Sequence, residues 1–274
     1  MEWTAVVPVK SLPDAKSRLL PDADPTRPEL ALAFLQDVLS ALAGAVGIAR
    51  VVVVTDDERV QRIVEASSAS WLPEAPHIGL NPAAAFGAAS LPHDTAVAII
   101  AGDLPCLIPS AVDLVLTLAV AHDRAFVSDA QGIGTTMLLD RTAATCSPAF
   151  GERSRARHVQ LGYVDLGLDS NAQTRLLLAR ARRDVDTQVD LWDARRMGVG
   201  AATQAVLLNS PRPMIPATVR STTPAGDVIV VNDDGFSLTV PRSVVDASVF
   251  RLLRVGQRLA VTMDDRIPVR IDLP

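Results

Sequence analysis

Apolar and polar positions follow two alternating patterns through the larger, N-terminal part of the chain. Short runs of small apolar residues predict strands that are covered on both faces, and the segments between them carry apolar positions at helical spacing. The clearest run is T-A-V-A-I-I-A at residues 95–101, which Gly102, Asp103 and a proline bring to an end. This alternation predicts an α/β domain with a doubly wound, mostly parallel sheet and right-handed crossovers.

The predicted elements of this domain follow from the same patterns. Helix 29–43 is a typical case, because Leu32, Leu35 and Leu39 recur on one helical face. Strands are expected at residues 4–9, 50–55, 95–101, 125–129 and 135–139, with one more short strand inside 67–80. Helices are expected at residues 29–43, 58–66, 81–90, 109–122, 176–183 and 189–198.

The pattern changes after residue 208. Residues 209–216, N-S-P-R-P-M-I-P, contain three prolines, which predicts a linker. Residues 217–274 then carry strand-length apolar runs, with Asp234 and Gly235 as a hairpin turn signal. The sequence therefore predicts a first domain at residues 1–208 and a small all-β barrel of the OB or cold-shock type at residues 217–274.

Charge narrows the class of ligand. The net charge is −5, which argues against a general nucleic-acid binder that works by charge neutralisation. The barrel has nearly balanced charge and few aromatic residues, so a structural or dimerising role is favoured over RNA binding. A homodimer is thus one expectation, and nucleic acid is not an expected partner.

Cysteine content and hydropathy indicate the cellular compartment in which the protein is expected. Cys106 and Cys146 are too few for a disulfide framework or a zinc ligand set. No apolar stretch is long enough for a membrane span, and the N-terminus lacks the pattern of a secretory signal. These features predict a reduced, cytoplasmic protein.

A basic loop follows the first predicted strand and contains Lys10, Lys16 and Arg18. Ligands of open α/β sheets bind at the carboxyl ends of strands, and three cations there suit a triphosphate. The competing interpretation is a solvated surface loop. Asn81 precedes another predicted helix, and it is interpreted either as a helix cap or as a contact to a purine edge.

Carboxylates from two distant segments form the candidate metal site. Asp103 follows the buried strand of residues 95–101, and Asp184 and Asp186 lie far downstream. Carboxylate oxygens are ligands of the hard divalent cations that accompany phosphates. The competing interpretation is that these aspartates are turn residues or caps of the helices that follow them.

Two further segments are candidates for binding a small anion. Thr135 follows a Gly-Ile-Gly turn, where backbone N–H groups and hydroxyls can approach an anion closely. The other segment supplies a glycine, a hydroxyl and two basic side chains: Gly151, Ser154, Arg157 and His158. It can also be interpreted as a basic helix start.

Seven motifs occur in order along residues 1–206: K-S-L-P-D-A-K-S-R-L, V-V-V-T, G-L-N, A-G-D-L-P, G-I-G-T-T, F-G-x-x-S-x-x-R-H and D-V-D-T-x-x-D-L. Together they resemble the phosphoenolpyruvate/2-phospho-L-lactate guanylyltransferases of deazaflavin coenzyme F420 biosynthesis. The resemblance implies a nucleotide-diphospho-sugar-transferase-like fold, related to the molybdenum-cofactor guanylyltransferases. It also implies GMP transfer from GTP to a small phosphorylated C3 acid, with downstream enzymes of that pathway as further partners.

The resemblance also implies roles for individual residues. Mg²⁺ is expected on Asp103, Asp184 and Asp186. The residues expected at GTP are Lys10, Lys16, Arg18, Asn81 and Gly102, and those with a catalytic role are Lys10, Lys16, Arg18 and Asp103. The residues expected at the acceptor are Thr135, Gly151 and Ser154, to which the basic cluster adds Arg157 and His158.

The chemistry of such a transfer needs no general base, because the phosphate of the acceptor is already mostly ionised at neutral pH. The obstacle is repulsion between anions, about 4 kcal/mol for two unit charges 4 Å apart at an effective dielectric near 20. Two alternatives stay open: a molybdopterin or sugar-phosphate nucleotidyltransferase, and a non-catalytic nucleotide sensor that acts on RNA. Phosphoenolpyruvate, phospholactate and phosphoglycerate are not distinguished.

Overall fold

The computed structural model describes residues 1–9, 19, 26–73, 79–168, 172–209, 214–264 and 266–273. The chain divides into two compact units, Met1–Asn209 and Ser210–Pro274. The three cations of the predicted basic loop lie outside the described residues, so their placement stays a prediction. No helix in the described part of the chain is long and apolar enough to cross a membrane.

A seven-stranded sheet is the centre of the first unit. Its strands are β1 (Trp3–Pro8), β2 (Ile48–Val54), β3 (Ser70–Leu72), β4 (Ala96–Ile100), β5 (Arg124–Ser128), β6 (Thr135–Asp140) and β7 (Val164–Asp165). The strand order is β3-β2-β1-β4-β6-β5-β7. All neighbours are parallel except β6, which is antiparallel to both β4 and β5. The predicted α/β class with a mostly parallel sheet is confirmed.

Helices cover this sheet on both faces. They are α1 (Thr26–Ala43), α2 (Glu58–Glu65), α3 (Leu80–Ala89), α4 (Pro109–Ala119), α5 (Ser154–Gln160), α6 (Ala172–Arg182), α7 (Gln188–Met197) and α8 (Ala201–Asn209). Successive strand side chains point to opposite faces. Ala5 and Val7 therefore pack with α1, α2, α4 and α6, whereas Val6 packs with α3. Burial on both sides explains the uninterrupted apolar runs of β1 and β4.

The predicted helices are present within a few residues of their expected bounds. The sequence pattern gave no range for α5 or α8. Helix α8 begins where the carboxylate of Asp37, in α1, accepts the backbone N–H groups of Ala202 and Thr203 at 2.9 and 3.0 Å. A Cβ atom at Gly200 would lie 2.3 Å from the Asp37 carboxyl carbon, so only glycine allows this approach. The start of α8 is thus fixed by a residue far away in sequence.

The second unit is a five-stranded antiparallel half-barrel. Its elements are β8 (Met214–Thr222), β9 (Val228–Asn232), β10 (Ser237–Val240), α9 (Arg242–Asp246), β11 (Arg258–Asp264) and β12 (Ile267–Asp272). The strand order is β10-β9-β8-β11-β12, and α9 packs against β12. Alternate positions of the strands, such as Val219, Val230 and Val261, form a core of its own. This agrees with the predicted small all-β unit.

The predicted linker, residues 209–216, extends too far, because β8 already begins at Met214. Pro216 lies inside this strand and pairs with Ala260 of β11, whereas the pairing of β8 with β9 begins at Ala217. Proline lacks an N–H group and is tolerated in a strand where only one side is paired. Because of its prolines, the sequence pattern did not indicate the first residues of β8.

We expect Asp37→Ala to lower the free energy of unfolding by about 1–2 kcal/mol, because two N–H groups at the start of α8 lose their acceptor. Urea unfolding followed by circular dichroism measures this loss. Asp37→Asn retains one oxygen acceptor and should lose less. A stability of Asp37→Ala equal to that of the wild type would show that the contact does not hold α8.

Candidate functional site

The two predicted acidic segments meet at the carboxyl end of β4. Asp103 follows this strand, and Asp184 lies between α6 and α7. The backbone N–H of Val185 donates to the carbonyl oxygen of Asp103 at 3.2 Å, which joins the segments directly. Burial, together with the negative charges of Asp103, Asp186 and the nearby Asp129, raises the pKa of Asp184 to about 7. The carboxylates therefore share one confined, repulsive environment.

The capping interpretation of these aspartates is wrong. The N-cap of α4 is Ile108 rather than Asp103. The N-cap of α7 is Thr187 rather than Asp186, and it forms a capping box with Asp190. Within the D-V-D-T-x-x-D-L motif, Asp186 thus precedes the N-cap residue, and Asp190 completes the capping box.

Both ends of the segment that carries Asp184 are anchored. On one side, the Arg182 guanidinium donates to the carbonyl oxygens of Ser128 and Asp129 at the end of β5. On the other side, the Asp190 carboxylate accepts the Thr187 N–H at 2.8 Å. The main chain between these anchors has little freedom to move away from β4 when the carboxylates repel one another.

Asp129 is an acidic neighbour that the sequence analysis did not select. Its carboxylate accepts the N–H groups of Ile133 and Gly134 at 2.8 Å each, which closes the turn between β5 and β6. A Cβ atom at Gly134 would lie 2.5 Å from the Asp129 carboxylate, so the turn requires glycine there. The sequence contains a feature that indicates Asp129: it ends a predicted strand, just as Asp103 follows one.

The start of β6 lies at the same edge of the sheet as the carboxylates. The Ala101 N–H donates to the carbonyl oxygen of Thr136 at 2.9 Å, and the Thr136 hydroxyl donates to the carbonyl oxygen of Ala181 at 2.8 Å. Thr136 thus links the end of β4 to the end of α6. Thr135, one residue earlier, is half-buried beside this link.

Helix α5 packs against the turn before β6. The Arg155 N–H donates to the carbonyl oxygen of Ile133 at 3.1 Å, and its guanidinium contacts the Asp165 carboxylate at 2.8 Å. Gly151 adopts a φ of +109° in the loop before the helix, a conformation that favours glycine. Ser154, the first residue of α5, is buried. The predicted anion-binding residues Thr135, Gly151 and Ser154 therefore lie on adjoining segments.

Asn81 lies in the first turn of α3 but does not cap it, since the N-cap is Gly79. Its side-chain amide instead pairs with the backbone of Phe150: Nδ2 donates to the carbonyl oxygen at 3.0 Å, and Oδ1 accepts the N–H at 2.7 Å. Asn81 therefore connects the start of α3 to the loop that contains Gly151. A contact with the purine stays a prediction.

The two basic residues at the end of the F-G-x-x-S-x-x-R-H motif differ in environment. Arg157 is exposed, and its guanidinium donates to the carbonyl oxygen of Glu152. His158 is fully buried, and both ring nitrogens are hydrogen-bonded within the protein, to Thr135 and to Ala149. Both polar atoms of the ring thus bond to the protein, and the predicted contact of His158 with the acceptor stays a prediction. Burial and the neighbouring Arg157 charge lower the pKa of His158 to about 4.

Gly102, predicted at the nucleotide, lies between β4 and Asp103. A Cβ atom there would meet Leu35 and Val9 at 3.6 Å, which is ordinary van der Waals contact. Packing among the described residues therefore leaves room for a methyl group at this position.

The model of the family described as "Guanylyl transferase CofC like" matches residues 3–205. The chain belongs to this family. A phosphoenolpyruvate guanylyltransferase from Streptomyces coelicolor is 45% identical over 210 residues, which cover 75% of this chain and 96% of that relative. The enzyme of the same name from Thermomonospora curvata is 39% identical over 214 residues, which cover 77% and 91%.

Among solved structures, a nucleotidyl transferase from Methanothermobacter matches with a TM-score of 0.48 and 16% identity, over 76% of this chain and 99% of that one. The family match ends at residue 205, before the half-barrel begins. Because the aligned residues make up 96% of the Streptomyces relative, that relative has no room for a comparable second unit.

We expect Asp184→Asn to stabilise the metal-free protein at pH 8. The raised pKa of this carboxyl means that its ionisation costs folding free energy as the pH rises from about 4 to about 7, and the full cost is present above pH 7. The gain should be roughly 2 kcal/mol, since one pKa unit corresponds to about 1.4 kcal/mol and solvent screens part of it.

Thermal melts in EDTA at pH 8 and pH 5 measure this effect. The rise in Tm of Asp184→Asn over the wild type should be larger at pH 8 than at pH 5. A variant that melts below the wild type at pH 8 would contradict the repulsion described above.

Proposed function

We propose that this protein transfers GMP from GTP to phosphoenolpyruvate, with release of pyrophosphate, in the biosynthesis of coenzyme F420. Two relatives that cover three quarters of the chain carry the name phosphoenolpyruvate guanylyltransferase. The observation that carries the proposal is the meeting of Asp103 and Asp184 at the end of β4, beside the start of β6. That edge of an open α/β sheet is where nucleotides bind.

The acceptor's own phosphate is the proposed nucleophile. One of its oxygens forms a bond to the α-phosphorus of GTP, and the bond between that phosphorus and the α,β-bridging oxygen breaks, so that pyrophosphate leaves with the electron pair. Because the phosphate is already ionised near neutral pH, no side chain has to remove a proton. Both ring nitrogens of the buried His158 are hydrogen-bonded within the protein, which is consistent with a reaction that lacks a general base.

Charge neutralisation is the main task of the proposed site. A divalent ion, which we take to be Mg²⁺, would be held by Asp103, Asp184 and Asp186 and would offset the phosphate charge. Within the described ranges, no three His, Cys, Asp or Glu side chains are arranged as a ready metal cage. Mg²⁺ commonly takes one or two carboxylates and completes its coordination with water and substrate phosphates. The mutual repulsion of the carboxylates fits such a cation.

Residues of the chain would position the two substrates on either side of this ion. The Thr135 hydroxyl, the backbone near Gly151 and the Ser154 side chain are proposed to bind phosphoenolpyruvate, with Arg157 at the exposed side. Lys10, Lys16 and Arg18 are proposed to bind the triphosphate of GTP, with Asn81 and Gly102 near the nucleotide. The proposed activity belongs to residues 1–208, since the family match covers 3–205, and the half-barrel has no assigned part in it.

Pyrophosphate release tests this function. The purified full chain is incubated with GTP, MgCl₂ and phosphoenolpyruvate, and the product is identified by mass spectrometry. Parallel reactions replace phosphoenolpyruvate with 2-phospho-L-lactate or 3-phosphoglycerate, and GTP with ATP or CTP. We expect the highest kcat/KM with GTP and phosphoenolpyruvate. Turnover confined to a sugar phosphate or a pterin, or none with any acceptor, would contradict the proposal.

We expect Asp103→Asn to lower kcat at least about a hundredfold, because it weakens the group that neutralises charge in the transition state. The Tm should not fall, because Asn in place of Asp103 removes a charge that repels Asp184. Asp123→Asn is a matched control. Its side chain is 92% exposed and precedes β5, at the opposite edge of the sheet. Equal activity of the two variants would remove Asp103 from the site.

A further inference from the structure

His158 connects the two halves of the proposed acceptor site. Its ring is buried in α5, with Nδ1 2.9 Å from the Thr135 hydroxyl oxygen and Nε2 3.1 Å from the backbone nitrogen of Ala149. Thr135 begins β6, and Ala149 lies in the loop that leads to Gly151. Three aromatic rings at centroid distances of 5.5 to 5.7 Å hold the imidazole in place: Phe126, Phe150 and Tyr163.

The partners of this ring determine which nitrogen carries the proton. A backbone N–H can only donate a hydrogen bond, so Nε2 of His158 must be the unprotonated acceptor for Ala149. In the neutral imidazole the proton then resides on Nδ1, and Nδ1–H donates to the Thr135 oxygen. The low pKa of His158 keeps the ring neutral in the physiological range.

The direction of the hydrogen bond between His158 and Thr135 determines whether the Thr135 hydroxyl can donate to a ligand. A hydroxyl has one proton to donate, and its oxygen can accept. If Thr135 donated to the imidazole, only oxygen lone pairs would remain to face an anion, and they would repel it. Because the imidazole donates instead, the hydroxyl proton stays available. Thr135 can then donate to a carboxylate or phosphate, and such charge-assisted bonds are the stronger class.

The same ring also supports the loop before α5. Nε2 holds Ala149, and the next residue, Phe150, is held through both its N–H and its carbonyl by Asn81. Tyr163 adds a third contact, because its hydroxyl oxygen accepts the Ser147 N–H at 3.0 Å. The backbone that precedes Gly151 is therefore fixed by side chains from three separate segments.

We propose that His158 is a positioning residue for the acceptor: by accepting from Ala149 and donating to Thr135, it fixes the Thr135 hydroxyl as a hydrogen-bond donor toward the acceptor's acidic group. This inference rests on the proposed acceptor site. It assigns His158 no contact with substrate and no proton transfer. It also explains why a fully buried imidazole ends a motif that otherwise supplies anion-binding groups.

Two substitutions separate the two hydrogen bonds of the ring. The amide nitrogen of Asn is as many bonds from the backbone as Nδ1, so His158→Asn can still donate to Thr135. The amide oxygen of Gln reaches one bond further, to the position of Nε2, so His158→Gln can still accept from Ala149 but loses the donor to Thr135. We expect His158→Gln to raise the KM for phosphoenolpyruvate about tenfold or more, and His158→Asn much less. The KM for GTP should stay within about twofold of the wild type.

A double-mutant cycle with Thr135→Val tests whether His158 acts through Thr135. Thr135→Val alone should raise the acceptor KM to a similar extent. His158→Gln added to Thr135→Val should then raise it no further. Effects that multiply, or a GTP KM that rises as much as the acceptor KM, would overturn the proposal and leave His158 a packing residue.

The tautomer can be measured without a variant and without activity. In the ¹⁵N-labelled full chain, long-range ¹H–¹⁵N spectra distinguish imidazoles protonated on Nδ1 from those protonated on Nε2. His158 should show the Nδ1–H form, unchanged from pH 6 to pH 8. An Nε2–H form would overturn this inference even if GMP transfer is confirmed. Absence of GMP transfer with every acceptor would instead contradict the proposed function.

Discussion

The hydrogen bond from the Val185 N–H to the carbonyl oxygen of Asp103 is the constraint on which the site depends. It brings the segment after α6 against the end of β4, so that carboxylates from distant parts of the chain face one another. The main chain holds them there against their own repulsion, and burial together with this repulsion raises the pKa of Asp184. Without a cation, the repulsion between the carboxylates lowers the free energy of unfolding. Binding of a cation to such a site would raise it again.

Polar contacts arrange the remaining groups around this acidic edge, and aromatic packing supports them at His158. Thr136 ties β6 to both β4 and α6, and Asp129 closes the turn that precedes β6. His158 then links β6 to the loop before α5. Buried polar networks whose hydrogen bonds are all satisfied make a structure more rigid. The proposed metal and acceptor sites therefore have a fixed mutual geometry.

Much of the fold could be predicted from the sequence because the sheet is covered on both faces. Burial of both faces produces the uninterrupted apolar runs that mark β1, β2 and β4, and the aspartate after β4 followed from the same pattern. Helix α8 could not be placed in this way, because its start depends on Asp37 in α1. Helix α5 was equally hard to delimit, since it is short and follows Arg153 in a left-handed conformation.

For the site, the sequence indicates which residue types lie at strand and helix ends, whereas their contacts appear only in the structure. The carboxylates were chosen for their positions at strand and helix ends, and the structure brings them together. His158 is predicted at the acceptor because of its charge, but burial keeps it neutral, and its proposed positioning role rests on contacts with Ala149 and Thr135 that no local pattern encodes. The pairing of the Asn81 amide with the backbone of Phe150 is likewise absent from any local pattern, and the contact of Asn81 with the nucleotide stays a prediction.

Binding of Mn²⁺, followed by electron paramagnetic resonance, shows whether Asp103 and Asp184 form a metal site. The full chain is titrated with Mn²⁺ in the presence of a non-hydrolysable GTP analogue, with wild type compared with Asp184→Asn and with the exposed control Asp123→Asn. We expect nucleotide-dependent Mn²⁺ binding by the wild type and by Asp123→Asn, weakened at least about tenfold in Asp184→Asn. Equal Mn²⁺ affinity in all three proteins would show that the meeting of Asp103 and Asp184 does not form a metal site.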